Sequence, residues 1–263
     1  MSAENSEDDP PSYEDRFVAF IDILGFSEYV INNSENAELI ISNVKNIYDK
    51  ARFKVESIDE ARLSITAFSD SIILSTSRHI IDEDDCISSL YDIIWCVKNI
   101  FIFLLESGFL VRGAIVRGKL IHNEKMLLGP ALIEAYRLES RSAIFPRVII
   151  QQSVAKMLRR EGNRWVIPAT DGPYFMHAFK DFEDYILSYK DIGWLQFSKS
   201  PVLNKINLCR DKIELILDSS RYNSKHYACN IWLAKYFDDY VARRVPVEIG
   251  ECIKPILQDG GWL

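Results

Sequence analysis

The sequence predicts an α+β fold: a sandwich in which helices cover a sheet containing antiparallel strands. Three observations predict it. Short apolar runs of strand length alternate with longer runs of helical period. The alternation is not one strand to one helix, because residues 63–75 read as two strands meeting at a polar turn. And the run Phe17 to Leu24 is apolar at seven of eight positions, as suits a strand buried on both faces.

Taken in order, residues 1–14 are rich in Ser, Glu, Asp and Pro and read as a disordered acidic tail. The Phe17–Leu24 strand follows. Gly25 allows a tight turn, and Phe26-Ser27 opens a helix to about Phe53, broken near Asn32-Asn33-Ser34. Its apolar face is Ala37, Ile40, Ile41, Val44, Ile47 and Tyr48. The 63–75 hairpin carries Asp70 at its tip. Asp82-Glu83-Asp84-Asp85 starts a helix to about 107, apolar nearly all round, that belongs against the sheet or a second subunit.

Leu110 to Leu120 reads as a long strand containing Arg112, Arg117 and Lys119. Gly129-Pro130 opens a helix through about Ser140. Phe145–Ile150 is a short strand, 153–160 a helix, and 165–175 a loop or hairpin turning at Asp171-Gly172-Pro173. Helical patterns cover 201–219 and 222–243. The second holds Tyr222, Tyr227, Trp232, Tyr236, Phe237 and Tyr240, which helix packing explains. This order fits a ferredoxin-like sandwich over residues 15–165, with 166–263 as a C-terminal extension of two helices packed on it.

Bulk properties narrow the function. The net charge of −7, from 31 basic and 38 acidic residues, argues against a nucleic-acid partner, which calls for a basic face. The five cysteines form no CxxC pair and read as free thiols in a reducing cytosol. The four scattered histidines have no zinc spacing. The first residues do not read as a signal peptide. The longest apolar run, Ile100 to Leu105, is too short to cross a bilayer. A soluble, cytoplasmic protein with no membrane partner is expected.

Two residues carry the chemistry. Asp22 is a carboxylate inside an apolar strand, where an unpaired charge costs several kcal/mol and demands a partner. Asp70 ends a second apolar strand. Two such acids suit a pair of divalent ions roughly 3.5–4 Å apart, which clamp the attacking and leaving oxygens of phosphoryl transfer. A helix N-terminus over Gly25, Phe26 and Ser27 is a natural phosphate cradle beside them.

Phe20-Ile21-Asp22-Ile23-Leu24-Gly25-Phe26-Ser27 resembles the first metal motif of class III nucleotidyl cyclases. Phe68-Ser69-Asp70 resembles the second, with Ser69 where the family usually has Gly. Arg112-Gly113-Ala114-Ile115-Val116-Arg117-Gly118 is similar to the family's basic strand, and Gly129 to Ser140 to its transition-state helix. The likeness spans about residues 16–155. It implies that Asp22, the Ile23 carbonyl and Asp70 hold two Mn²⁺ or Mg²⁺ ions, that Arg112 meets the triphosphate, and that Arg137 stabilises the α-phosphoryl group. It also implies a head-to-tail homodimer with shared active sites.

Besides Ser69, three positions depart from the family. Ile133 stands at the transition-state Asn. Thr66 and Met126 stand at the two purine-reading positions, so both have lost the groups that adenylate cyclases use there. A site reading a base by hydrogen bonds loses discrimination without them. The departures resemble the pyrimidine cyclases of bacterial Pycsar antiphage systems, which make cyclic UMP or cyclic CMP. The resemblance thus implies a substrate of UTP or CTP. The competing expectations are a purine cyclase with an unusual pocket and a catalytically dead domain that binds nucleotide or a partner.

Overall fold

The computed structural model describes residues 12–36, 63–76, 80, 82–160, 162, 164–193, 197–245 and 252–257, with isolated positions between 37 and 50. The elements, numbered among these residues, are β1 (Glu14–Leu24), α1 (Phe26–Asn32), β2 (Leu63–Phe68), β3 (Ser71–Thr76), α2 (Glu83–Glu106), β4 (Leu110–His122) and β5 (Leu127–Leu128). There follow α3 (Pro130–Ser142), β6 (Val148–Ile150), α4 (Gln152–Arg160), β7 (Val166–Pro168), β8 (Tyr174–Met176), α5 (Lys180–Ile192), α6 (Pro201–Ser219) and α7 (Ser224–Tyr240).

The α+β expectation holds. The main sheet runs β2-β3-β1-β4-β6-β8-β7, with β5 paired to β4. All pairs are antiparallel except β4 with β6. β1 lies between β3 and β4, so the β1–β2 connection passes over β3 and the β3–β4 connection passes over β1, while β2 and β3 form a hairpin. That double split crossover is the ferredoxin-like arrangement. The strands after residue 165 continue this sheet: β8 pairs β6, and β7 pairs β8.

Three local expectations are corrected. β1 begins at Glu14, inside the span expected as tail, because Glu14–Arg16 find partners along β4. β1 is closed on both faces only from Phe17 to Ala19; Phe20 and Asp22 lie on a face that is partly open. And α5 is a helix that the sequence reading did not anticipate. It is tied to α2 by Lys98, which pairs with Asp181 and lies over Trp165. The rest of the acidic tail and the expected Ala37–Tyr48 face lie outside the described residues.

The two faces of the sheet differ. On one, Phe17, Ala19, Ile21, Ile23, Ile72 and Leu74 pack with α2 in the main core. By length and composition α2 could span a bilayer, but most of its apolar residues are buried in this core. Asp82 caps it by accepting from the Asp85 N–H at 2.8 Å. On the other face, Val18, Ile73, Val116 and Leu120 pack with Ala131 and Ala135 of α3. Gly118 faces Ala131, and a Cβ there would sit 3.3 Å from the alanine Cβ, so small residues let α3 lie close to β4. The aromatic α7 packs through Trp232, which stacks on Phe145 at 5.2 Å, and Tyr236, which meets Phe175 and Phe179, whereas Tyr222, expected in the same packed helix, precedes it and is fully exposed.

Candidate active site

The site is built on the second face, where β1, the β2–β3 turn, β4 and α3 meet. Alternation along β1 places Phe20 and Asp22 on the face of Val18. Register places Asp22 opposite Ser71 of β3 and Arg112 of β4. The β2–β3 turn is two residues, Ser69 and Asp70, between the Phe68–Ser71 pair. Ser69 takes a positive φ of 55°, a conformation that glycine adopts freely and serine does not. The Ile23 N–H donates to the Asp70 carbonyl at 2.8 Å, which pins the turn to the end of β1.

Asp22 and Asp70 are therefore neighbours at one corner of the sheet. The Asp22 pKa lies above the ordinary carboxylate value. Burial is the main cause, the charge of Asp70 adds to it, and Arg112 opposes both. Arg112 Nε donates to Asp22 Oδ2 at 3.0 Å. The same Nε lies 2.5 Å from Glu139 Oε1 of α3.

Glu139 is 2% exposed, and burial raises its pKa too, with Arg112 pulling the other way. Its Oε1 touches Arg112 without hydrogen-bond alignment and has no aligned partner among the described residues. Arg112 thus sits between two carboxylates, Glu139 buried and Asp22 partly exposed. Glu139 falls within the Gly129–Ser140 helix motif, where the resemblance assigns it no role. Its place on α3 carried no signal in the sequence, because only the packing of α3 on the sheet brings it to Arg112.

The metal donors expected from sequence are hard oxygens, as Mg²⁺ and Mn²⁺ require. Asp22, Asp70 and the Ile23 carbonyl occupy one corner, and the mutual repulsion of the acids is what a cation pair relieves. No cluster of three or more Asp, Glu, His or Cys side chains suited to a metal occurs among the described residues. The protein thus offers two carboxylates and a carbonyl. Gly25 precedes α1 with φ 76° and nothing within 4 Å of a Cβ position, while Phe26 is buried and Ser27 exposed. The first N–H groups of α1 have no intrahelical acceptors and are free to meet an anion.

Thr66 lies on the same face, one row from Asp22 along the strands. Its Oγ1 is 2.9 Å from His122 Nε2 at the end of β4. Met126 lies four residues further, in the β4–β5 connection, half-exposed and bonded through its N–H to Asn123 Oδ1 at 2.8 Å. Sequence reasoning did not single out His122. Arg117, by contrast, is bound to Asp15 at 2.8 and 3.0 Å.

Arg137 is not brought to this corner. It lies two residues before Glu139 on α3, about 200° round the helix. It lines an open cleft of about 500 Å³ with Glu134, Arg141, Gln151, Gln152 and Tyr174. Its guanidinium has no ion pair among the described residues. Ile133 is half-exposed, and Tyr136 is exposed with its ring set edge-on to Phe20 at 5.7 Å.

No family model matches the sequence, and no curated protein matches it. Solved structures do match. The monomeric guanylyl cyclase domain of the RhoGC fusion protein from the aquatic fungus Blastocladiella emersonii has a TM-score of 0.50 and 15% identity, covering 64% of this chain and 98% of that one. The guanylate cyclase domain of RhGC from Catenaria anguillulae, solved with GTP, has a TM-score of 0.48 and 16% identity over 64% and 98%. A class III adenylyl cyclase-like ATP-binding protein from Pseudomonas aeruginosa has a TM-score of 0.41 and 14% identity over 55% and 35%. The fold is that of a nucleotide cyclase catalytic domain.

Proposed function

We propose that this chain is a nucleotidyl cyclase that converts UTP or CTP to its 3′,5′-cyclic nucleotide and pyrophosphate. The observation that carries the reading is the corner itself: Asp22, the Asp70 turn and Arg112 converge at one end of β1 in a cyclase fold. Two divalent cations on Asp22, Asp70 and the Ile23 carbonyl would activate the ribose hydroxyl and neutralise the triphosphate. The 3′-oxygen bonds to the α-phosphorus, the bond from that phosphorus to the bridging oxygen breaks, and pyrophosphate leaves. The hydroxyl proton passes to solvent.

The chain's own residues have distinct tasks. Arg112 leaves Asp22 for the triphosphate, and Glu139 holds its base in place. The N–H groups of Gly25, Phe26 and Ser27 receive phosphate oxygens. Arg137 faces away from its own Asp22, so it serves the site of a second copy, where it stabilises charge on the α-phosphoryl group. A homodimer follows, and the exposed Phe68, Leu128, Ile133 and Tyr136 give it an apolar face to bury.

The pyrimidine preference rests on Thr66 and Met126, neither of which is the Lys or Asp of an adenylate reader. By the same resemblance, the product is a second messenger made in the cytoplasm for antiphage defence. A purine substrate is the second reading, favoured by the guanylyl cyclase domains among the structural neighbours. Incubation with each of the four NTPs and Mn²⁺, with products resolved by mass, decides between them. A cyclic pyrimidine product is expected, and Asp70→Asn should reduce it to background. Binding of nucleotide without any cyclic product would leave the chain a dead cyclase domain.

A further inference from the structure

A buried polar relay ends at Thr66, and its hydrogens can be counted. Arg16, itself 8% exposed, donates from Nη1 to Ser75 Oγ at 3.3 Å and to the His122 carbonyl at 3.4 Å. Ser75 Oγ lies 2.8 Å from His122 Nδ1, and His122 Nε2 lies 2.9 Å from Thr66 Oγ1. Burial, with Arg16 next, lowers the His122 pKa to about 4, so the ring is neutral and one nitrogen donates while the other accepts.

Ser75 decides which nitrogen does which. It is wholly buried, and an arginine has only donors, so Ser75 already accepts from Arg16. Were it to accept from His122 as well, its own hydrogen would have no acceptor among the described residues. Ser75 therefore donates to Nδ1, Nε2–H donates to Thr66 Oγ1, and the Thr66 hydroxyl hydrogen is left to point outward.

The place it points to is set by the sheet. Thr66 pairs with Ile73, which pairs with Phe20, two residues from Asp22 on the same face. Strand spacing and rise put Thr66 about 12 Å from Asp22. That is close to the span of a nucleotide from its α-phosphorus to the far edge of its base. Ile73 and Ser71 of β3 lie between them, and Phe20, whose ring meets Tyr136 edge-on, borders the same face beside Asp22.

We infer that Thr66, oriented by the Arg16–Ser75–His122 relay, presents a hydrogen-bond donor to the base and selects bases with an oxo group, uracil over cytosine and guanine over adenine. His122 is a positioning residue here, not a catalytic one. The inference rests on the nucleotide-site reading above. An oxo oxygen accepts from Thr66 directly, whereas an exocyclic amino group is met only if the hydroxyl turns its hydrogen aside and offers its one remaining lone pair, which is the poorer match.

The test is the affinity of the full chain, with Mn²⁺, for the α,β-methylene triphosphates of all four nucleosides, which bind but cannot cyclise. The uridine analogue should bind at least about tenfold tighter than the cytidine analogue, and guanosine likewise over adenosine. Thr66→Val should bring both ratios close to one, and Thr66→Ser should keep them. His122→Phe, which fills the ring's space but breaks the relay, should lower the ratios and so serves if Thr66→Val does not fold. Equal or reversed ratios, or ratios unmoved by the folded variants, overturn the inference. If cyclic product still forms from an NTP, the cyclase reading survives that outcome. If no analogue binds and no NTP is cyclised, both fall.

Discussion

At the scale of single residues, Arg112 is held by two acids, Asp22 at 3.0 Å and Glu139 at 2.5 Å. A cation arriving at Asp22 competes with that guanidinium. Glu139 eases the exchange because it keeps a counter-charge for Arg112 once Asp22 is taken. Glu139→Gln removes that counter-charge and leaves Asp22 as the only acid for Arg112. The Mn²⁺ concentration for half-maximal turnover should rise about tenfold, an effect of one pKa unit's worth of interaction. A metal titration of turnover checks it; an unchanged or lowered midpoint contradicts the role. Much of this corner was legible in the chain, because a charge inside an apolar strand and an acid at a hairpin tip are rare enough to stand out. Glu139 and His122 were not, because each looks ordinary on its own element and becomes informative only once β4 and α3 are laid over β1.

At the scale of elements, β1 and β4 act as one unit. They run antiparallel in register over the whole of β1, and Gly113 lies opposite Ile21. A Cβ on Gly113 would lie 2.5 Å from the Phe20 carbonyl oxygen, a backbone atom that cannot step aside. Gly113→Ala should therefore push the strands apart beside the Asp22–Arg112 pair. A loss of about 1–3 kcal/mol in denaturant unfolding is expected, together with lower turnover. Full stability would mean that the strands are not held so tightly. Strand and helix order were readable here from period alone. The face of β1 left open at Phe20 and Asp22 was not, because a nearly continuous apolar run looks the same whether one face or both are covered. Likewise α5 was missed, since its sequence is polar and gains its place through Lys98 and through Arg244, in the short 3-10 turn Ala242–Arg244 after α7, which pairs with Glu183 at 3.1 Å, rather than through a strong apolar stripe.

At the scale of the whole molecule, two neutral buried histidines tie distant elements together. His177 is 1% exposed, with Tyr236 OH at 2.8 Å on Nδ1 and Glu183 at 3.2 Å on Nε2. Burial lowers its pKa to about 3, with Lys180 adding to the effect and Asp184 opposing it. His122 is lowered to about 4. Both values lie below the ordinary 6.5, so the unfolded chain binds protons more readily than the folded one. Their contribution to stability is complete above pH 6.5 and is lost as the pH falls toward 4 and then 3. Urea midpoints should be flat from pH 7 to 8 and fall steadily below 6.5. A His177→Gln variant should fall less steeply over the same range, and an equal slope would remove His177 from the acid sensitivity.

The same scale decides the active assembly, since Arg137 lines a cleft that does not include Asp22 of its own chain. The direct measurement mixes two inactive variants, Asp22→Asn with Asp70→Asn in one chain and Arg137→Ala in the other. Each alone should fall to background, and an equal mixture should recover about a quarter of wild-type turnover, because half the dimers are mixed and each has one intact site. A mixture as inactive as its parts, with both chains folded and dimeric, would contradict a site shared between copies. Wild-type turnover by the doubly substituted chain alone would remove the two aspartates from the chemistry altogether.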